Sequence, residues 1–373
     1  MSLPQDQIVS RLDHLPGEII LQVLESTSMR DLPVLLKASP RANALFATHR
    51  KQILVTVLDN ILGPVFVDAL TFQEFYEFGR LPPGLHPIPL SSVYAQRIAS
   101  RPENTIEMLK NMSDDKFDQL YQLTQEAQAI AELFAALWRE SLKPSFYIQQ
   151  GPDTNLLLRH MSAPLSDTES RRLVQAIFRA EIFHAFTLHD NGRVPVISLH
   201  PSEIEQGNQM ACFLDRLFSH VEGEVNYYSP DFQSSNPGPP PPPRLGSSWA
   251  KLSQAAADPV QRQALVEYWS GPGGRGRDLY LDVRSSIWIM RANRMSSSRV
   301  SPVLGVPSAW SDAMAGEDAD VERTWYEIFF ARPWVSLLCG GVHVWRQFPL
   351  IFWDKWRVDL AKRAFDPIFR TDG

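Results

Sequence analysis

The chain has 373 residues, of which 44% are hydrophobic and 10% aromatic, enough apolar material for two or three domain-sized cores. A formal charge of -6 and a pI near 5.9 leave no basic footprint of the kind that phosphate neutralisation requires, which argues against a nucleic-acid binder. Two cysteines, Cys212 and Cys339, are too few for a disulfide framework or a four-ligand zinc site.

The opening MSLPQDQIVSRLDHL has neither a basic start nor a long apolar run, so no secretory signal is expected. Leu15-Pro16 then opens a helix, because proline is well tolerated at the first helical position and Glu18 sits favourably at the positive end of the helix dipole. Ile19, Ile20, Val23 and Leu24 share its broad apolar face, and Leu21 points away and forms a second apolar spot. Ser28 stands three residues before Asp31 in capping-box spacing and announces a short second helix that ends near Ala38. Leu32, Val34, Leu35 and Leu36 surround its axis, so one contact surface cannot bury them all. Ser39-Pro40 supplies an N-cap and a first-position proline for a third helix, in which Ala42, Leu45, Phe46, His49 and Ile53 share a face.

The LPxEI opening, the Asp31-Leu32-x-x-Leu35 run and the Leu45-Phe46 closure resemble the F-box, the short helical module that docks on the Skp adaptor of cullin-type ubiquitin ligases. That family commonly carries an aromatic, often Trp, in its third helix, and here the only candidate is Phe46, a departure from the pattern. The continuation ASPRANALFATHRKQILVTVLDNILGPVFVDAL, residues 38–70, is similar to a set of filamentous-fungal F-box-like proteins, as is the later Phe352-Trp353-Asp354-x-x-Arg357-Val358. The resemblance implies an F-box-like module over residues 8–55 with a Skp-type adaptor as partner, contacted through Leu12, Leu15, Pro16, Ile19, Ile20, Leu21, Leu32, Leu35 and Leu36.

Beyond the module, Ile53, Leu54, Val57, Leu58, Ile61 and Leu62 continue helically until Gly63-Pro64 breaks the run, after which residues 65–78 can be helical again. Prolines 82, 83, 87 and 89 make a non-helical connector. Two short helices are expected on either side of Pro102, and a long one over residues 114–141, striped by Phe117, Leu120, Tyr121, Thr124, Ala127, Ala131, Phe134 and Trp138. Ser166 and Glu169 form a capping box for a helix reaching about Thr187, and Ser202 with Glu205 repeats the arrangement for one reaching about Val221. Residues 234–248, SSNPGPPPPPRLGSS, read as a proline-rich loop favouring polyproline II, and a Ser/Gly/Pro-rich loop is expected over 296–317. Helices are expected over 259–269, 278–295, 320–335 and 348–365. No sustained two-residue alternation demands a sheet, so the fold class is all-α, the three-helix module being followed over 56–373 by a larger, irregular helical region.

Three constellations invite a chemical reading. Gly271, Gly273 and Gly276 satisfy G-x-G-x-x-G, but a helix-like segment precedes them and Pro272 occupies the turn, so the context of a dinucleotide site is missing. His184, His189 and His200 do not have the i, i+4 spacing of a helix-borne metal pair. Neither cysteine has a nucleophile signature and no G-x-S-x-G occurs. The C-terminal apolar run over 328–345 is broken by Arg332-Pro333 and reads as a buried segment, not a membrane span. The sequence therefore gives reason to expect neither an enzyme, nor a cofactor, nor a metal site. Two functions remain open: an adaptor in the cytoplasm or nucleus that brings a protein substrate to a Skp–cullin ligase, or a helical scaffold whose F-box-like segment is only structural.

Overall fold

The computed structural model describes residues 12–78, 90–100, 104–142, 163–189 and 247–270, together with the isolated positions 206–207, 210, 213–214, 217 and 356. The described residues are helical and contain no strand. Several sequence expectations fall outside them: the prolines of the connector, the loop before Ala163, residues 234–246 of the proline-rich insert, the glycine triad, His200, both cysteines, and every segment beyond residue 270 except Trp356.

The first described segment opens with a turn closed by the Leu15 amide on the Leu12 carbonyl, 3.1 Å, and enters α1, Gly17–Ser26, through Pro16. The next helix, α2, spans Leu32–Ala38. Its entry is fixed at Ser28, whose hydroxyl accepts from the Asp31 amide at 3.1 Å and donates to the Asp31 carboxylate at 2.8 Å. Ser39 caps α3, Pro40–Leu62, by accepting from the Ala42 amide at 3.1 Å, and Pro40 takes the first position.

The boundary expected between residues 55 and 56 falls inside α3, which is helical to Leu62. Its interruption comes earlier, at His49, where φ is -114° and ψ is 22°. Before this kink α3 faces α1 and α2. After it Ile53, Leu54, Val55, Val57, Leu58 and Leu62 are buried almost all round, as expected of a helix inside a core rather than on a surface, here among α1 and the later helices.

Gly63-Pro64 tightens into a 3-10 turn, Gly63–Val65, before α4, Phe66–Phe78. Then come α5, Leu90–Ala99, and α6, Thr105–Asn111, the latter capped by Asn104, which accepts from the Glu107 amide at 3.0 Å. The long helix α7 spans Asp114–Leu142, and α8 spans Asp167–His189. The capping box of α8 is reciprocal: the Ser166 amide donates to the Glu169 carboxylate at 3.0 Å and the Glu169 amide to the Ser166 hydroxyl at 3.1 Å.

Helix α9, Ser247–Ala257, starts two residues inside the stretch expected to be proline-rich loop, because Ser247 and Ser248 already form its first turn. It carries Trp249 into the core and turns at Asp258, whose carboxylate accepts from the Val260 and Gln261 amides at 2.9 and 2.8 Å to cap α10, Pro259–Ser270. The body is built on two long helices: α7 packs against α4, α8, α9 and α10, and α8 packs in turn against α4, α5 and α3. Phe72 lies at their meeting point, its ring 5.3 Å from Phe178 and 5.0 Å from Trp249, spacings at which aromatic pairs attract. Met210, Phe213, Leu214 and Leu217 add to the same core, at helical spacing.

Candidate docking face of the N-terminal helices

The residues expected to meet an adaptor divide into three sets. Ile20 and Leu32 are 0% and 1% exposed and belong to the chain's own core with Leu24, Met29 and Ala42. Both face inward: α1 and α2 pack against α3, and these two side chains are on the covered side. Leu12, Leu15, Leu21, Leu35 and Leu36 are half-buried, packed on the core with part of their surface in solvent. Pro16 and Ile19 are exposed, Ile19 at 41%, and so is Val34, at 66%. Val34 is one of the apolar residues that surround the α2 axis, lies outside the contact set that the resemblance implies, and is open to solvent.

The exposed corner is held by polar contacts to α3. The Ser39 hydroxyl donates to the Asp13 carboxylate, and the Arg41 Nη1 donates to the Asp13 main-chain carbonyl at 2.7 Å. Gly17 lies against the Leu45 side chain, which a Cβ at this position would meet at 4.0 Å. Farther along, Gln52 Nε2 donates to the Glu25 carboxylate at 3.0 Å and Asn60 Nδ2 to the Glu25 carbonyl at 3.3 Å. Arg30, between α1 and α2, pairs with Glu132 of α7 at 3.4 Å.

A second constellation, which the sequence did not reveal, is buried between α4, α5 and α8. Asp68 accepts from the Tyr94 hydroxyl and from Gln175 Nε2 at 3.0 Å, and pairs with Arg179 at 3.2 Å. The Asp68 and Arg179 side chains are 4% and 7% exposed. Burial pushes the Tyr94 phenol well above its ordinary value, the Asp68 charge adds to the shift, and Arg179 opposes it. Acid, cation and phenol meet in the interior with the half-buried Gln175 amide at their edge, so the cluster joins three helices through side chains of α4, α5 and α8.

Among the described residues no group of three or more His, Cys, Asp or Glu side chains is placed to hold a metal ion. One helical stretch, Pro40–Tyr76, is long and apolar enough to cross a membrane by length and composition, with a window of mean hydropathy 1.8. In the fold 61% of that window is buried inside the protein, so packing of α3 and α4 in the core accounts for its apolar character. Compared with known proteins, the chain matches no family model, no curated protein and no solved structure.

Proposed function

We propose that the protein is an F-box-like adaptor: the face carrying Pro16 and Ile19 of the α1 entry and Val34 of α2 docks on a Skp-type adaptor, while the helical body holds a protein substrate. On this reading the chain is not itself an enzyme; it accelerates ubiquitin transfer by proximity, and the covalent chemistry belongs to other subunits. The observation that carries the reading is the LPxEI motif at a helix entry whose Pro16 and Ile19 remain exposed, with half-buried Leu15 beside them. A surface that presents apolar side chains without covering them is suited to a partner.

A second reading makes the three helices a structural part of a scaffold. It is favoured by the inward placement of Ile20 and Leu32 and by the unbroken passage of α3 into the body.

Capture of a purified Skp adaptor by the full chain separates the two. Replacing Leu15 and Pro16 together by Ala should weaken capture at least about tenfold, since full burial of a leucine is worth about 1.5–3 kcal/mol and each 1.4 kcal/mol is a factor of ten. Leu24→Ala, in the core, should lower the melting temperature far more than this pair does. A folded wild-type chain that captures no adaptor at micromolar concentration refutes the adaptor reading.

A further inference from the structure

We propose that Asp13 positions the Leu15-Pro16 corner for docking, by clipping the turn before α1 to the start of α3; this assignment rests on the adaptor reading above. Asp13 uses two separate acceptors on two separate partners: its carboxylate takes the Ser39 hydroxyl proton, and its main-chain carbonyl takes Arg41 Nη1 at 2.7 Å. Ser39 is fully buried and also accepts from the Ala42 amide. One residue therefore ends α2 through its amide, which donates to the Leu35 carbonyl at 3.1 Å, and with its hydroxyl starts α3 and holds the turn that precedes α1.

The physical consequence concerns Leu15 and Pro16. Between Asp13 and the first turn of α1 the backbone has one local hydrogen bond, from the Leu15 amide to the Leu12 carbonyl; the Ile19 and Ile20 amides then both point at the Pro16 carbonyl, at 3.1 Å. Without the clip the corner is held chiefly by the packing of half-buried Leu12 and Leu15 on the core, contacts that fix burial but not direction. Directed hydrogen bonds from Ser39 and Arg41 fix direction. A docking corner held in its bound geometry avoids the ordering penalty that a free turn incurs on association. Asp13 is thus a positioning residue, which acts through the corner without needing to touch the adaptor.

The test uses the full chain and a purified Skp adaptor, comparing wild type with Asp13→Ala, Asp13→Asn and Arg41→Ala. Asp13→Ala removes the Ser39 bond and keeps the main-chain carbonyl for Arg41, so it should weaken capture about fivefold to tenfold, the effect of losing one hydrogen bond to a charged group near a binding corner, with little change in melting temperature. Hydrogen exchange at the Leu15 amide should accelerate in parallel. Asp13→Asn keeps one carboxamide oxygen for Ser39 and should restore most of both signals, and Arg41→Ala should fall between. Capture and Leu15 exchange that both remain at wild-type values in Asp13→Ala overturn the assignment while leaving the adaptor reading in place. If Asp13→Ala does not fold, unchanged capture and exchange in Arg41→Ala overturn it equally. Failure of the wild-type chain to bind the adaptor removes the adaptor reading, and the assignment with it.

Discussion

Replacing Asp68 by Ala should destabilise the protein by about 3–5 kcal/mol, the range for breaking a buried ion pair from one side. The magnitude follows from what surrounds the carboxylate. Arg179 pairs with it at 3.2 Å in a site where both side chains are almost fully buried, so the substitution takes a buried counter-charge away from the guanidinium. The Tyr94 hydroxyl and the Gln175 amide lose an acceptor as well. Gln175 is only half-buried and can turn to water, whereas Tyr94 is fully buried, so losing the carboxylate as acceptor costs more at the phenol. Urea unfolding followed by circular dichroism reads the effect: for a slope of about 3 kcal/mol/M the midpoint falls by about 1–1.7 M at unchanged slope. The companion variant Asp68→Leu/Arg179→Met/Tyr94→Phe removes the acid, the cation and the phenol together and should recover most of the stability, because well-packed apolar replacements of a buried pair are often neutral or stabilising. A loss below about 1 kcal/mol for Asp68→Ala, or a triple variant as weak as the single one, would refute the account of a desolvated cluster held by a buried ion pair.

Tyr94 should give the protein an alkaline limit: a phenol whose pKa is raised in the folded state contributes stability that is fully present below its unfolded value near 10.0 and is lost as the pH climbs toward the folded value, so urea midpoints of the wild type should fall more steeply between pH 9 and 11 (about one unit either side of the ordinary phenol value) than those of Tyr94→Phe. Ile20→Ala should lower stability by about 2–5 kcal/mol, as a large-to-small change in a packed core does, whereas Val34→Ala, at an exposed position, should stay within about 0.5 kcal/mol; equal effects in thermal melts would overturn the assignment of Ile20 to the core. Trp249→Ala should lower stability by about 3–5 kcal/mol, since the ring is fully buried beside Phe72 and its indole N–H donates to Glu126 at 2.5 Å; a melting temperature equal to that of the wild type would show that α9 is not part of the core.

The sequence disclosed elements whose cause is local. Ser39-Pro40 and the Ser166–Glu169 box fix their helices through side chains within three residues of the amides they cap, and the stripe on α7 repeats along one helix. It was silent where the cause is distant. Asp68 meets partners 26 and 107 residues away, and no local pattern marks such a pair in advance. Helix α9 was hidden differently: Trp249, Leu252, Ala255 and Ala256 have helical spacing, but the serines before them merged into the neighbouring low-complexity run. On α1 and α2 proline, capping and apolar spacing located the helices but could not separate Ile20 and Leu32 from the exposed Ile19 and Val34, because apolar residues ring α2 and occupy two sides of α1. Which row turns inward depends on the neighbours of α3, and those lie much later in the chain.

The same dependence determines what form of the protein can bind anything. Residues 8–55 include Ile53, Leu54 and Val55 but end before Val57, Leu58 and Leu62, all of them buried. Cut there, the piece would expose three side chains, each worth about 1.5–3 kcal/mol when fully buried, and would lose the Asn60 contact that holds the last turn of α1. Helix α1 also spans the kink at His49: Gly17 abuts Leu45 before it, and Glu25 binds Gln52 and Asn60 beyond it. The angle between the two halves of α3 is therefore held by α1 as well as by α3 itself, and Arg30 ties the following turn to Glu132 of the body. The isolated piece should show weak helical dichroism and no cooperative melt, whereas the full chain melts cooperatively; a piece that melts as sharply as the full chain would mean that the core is divisible at residue 55 and that α3 joins two independent units.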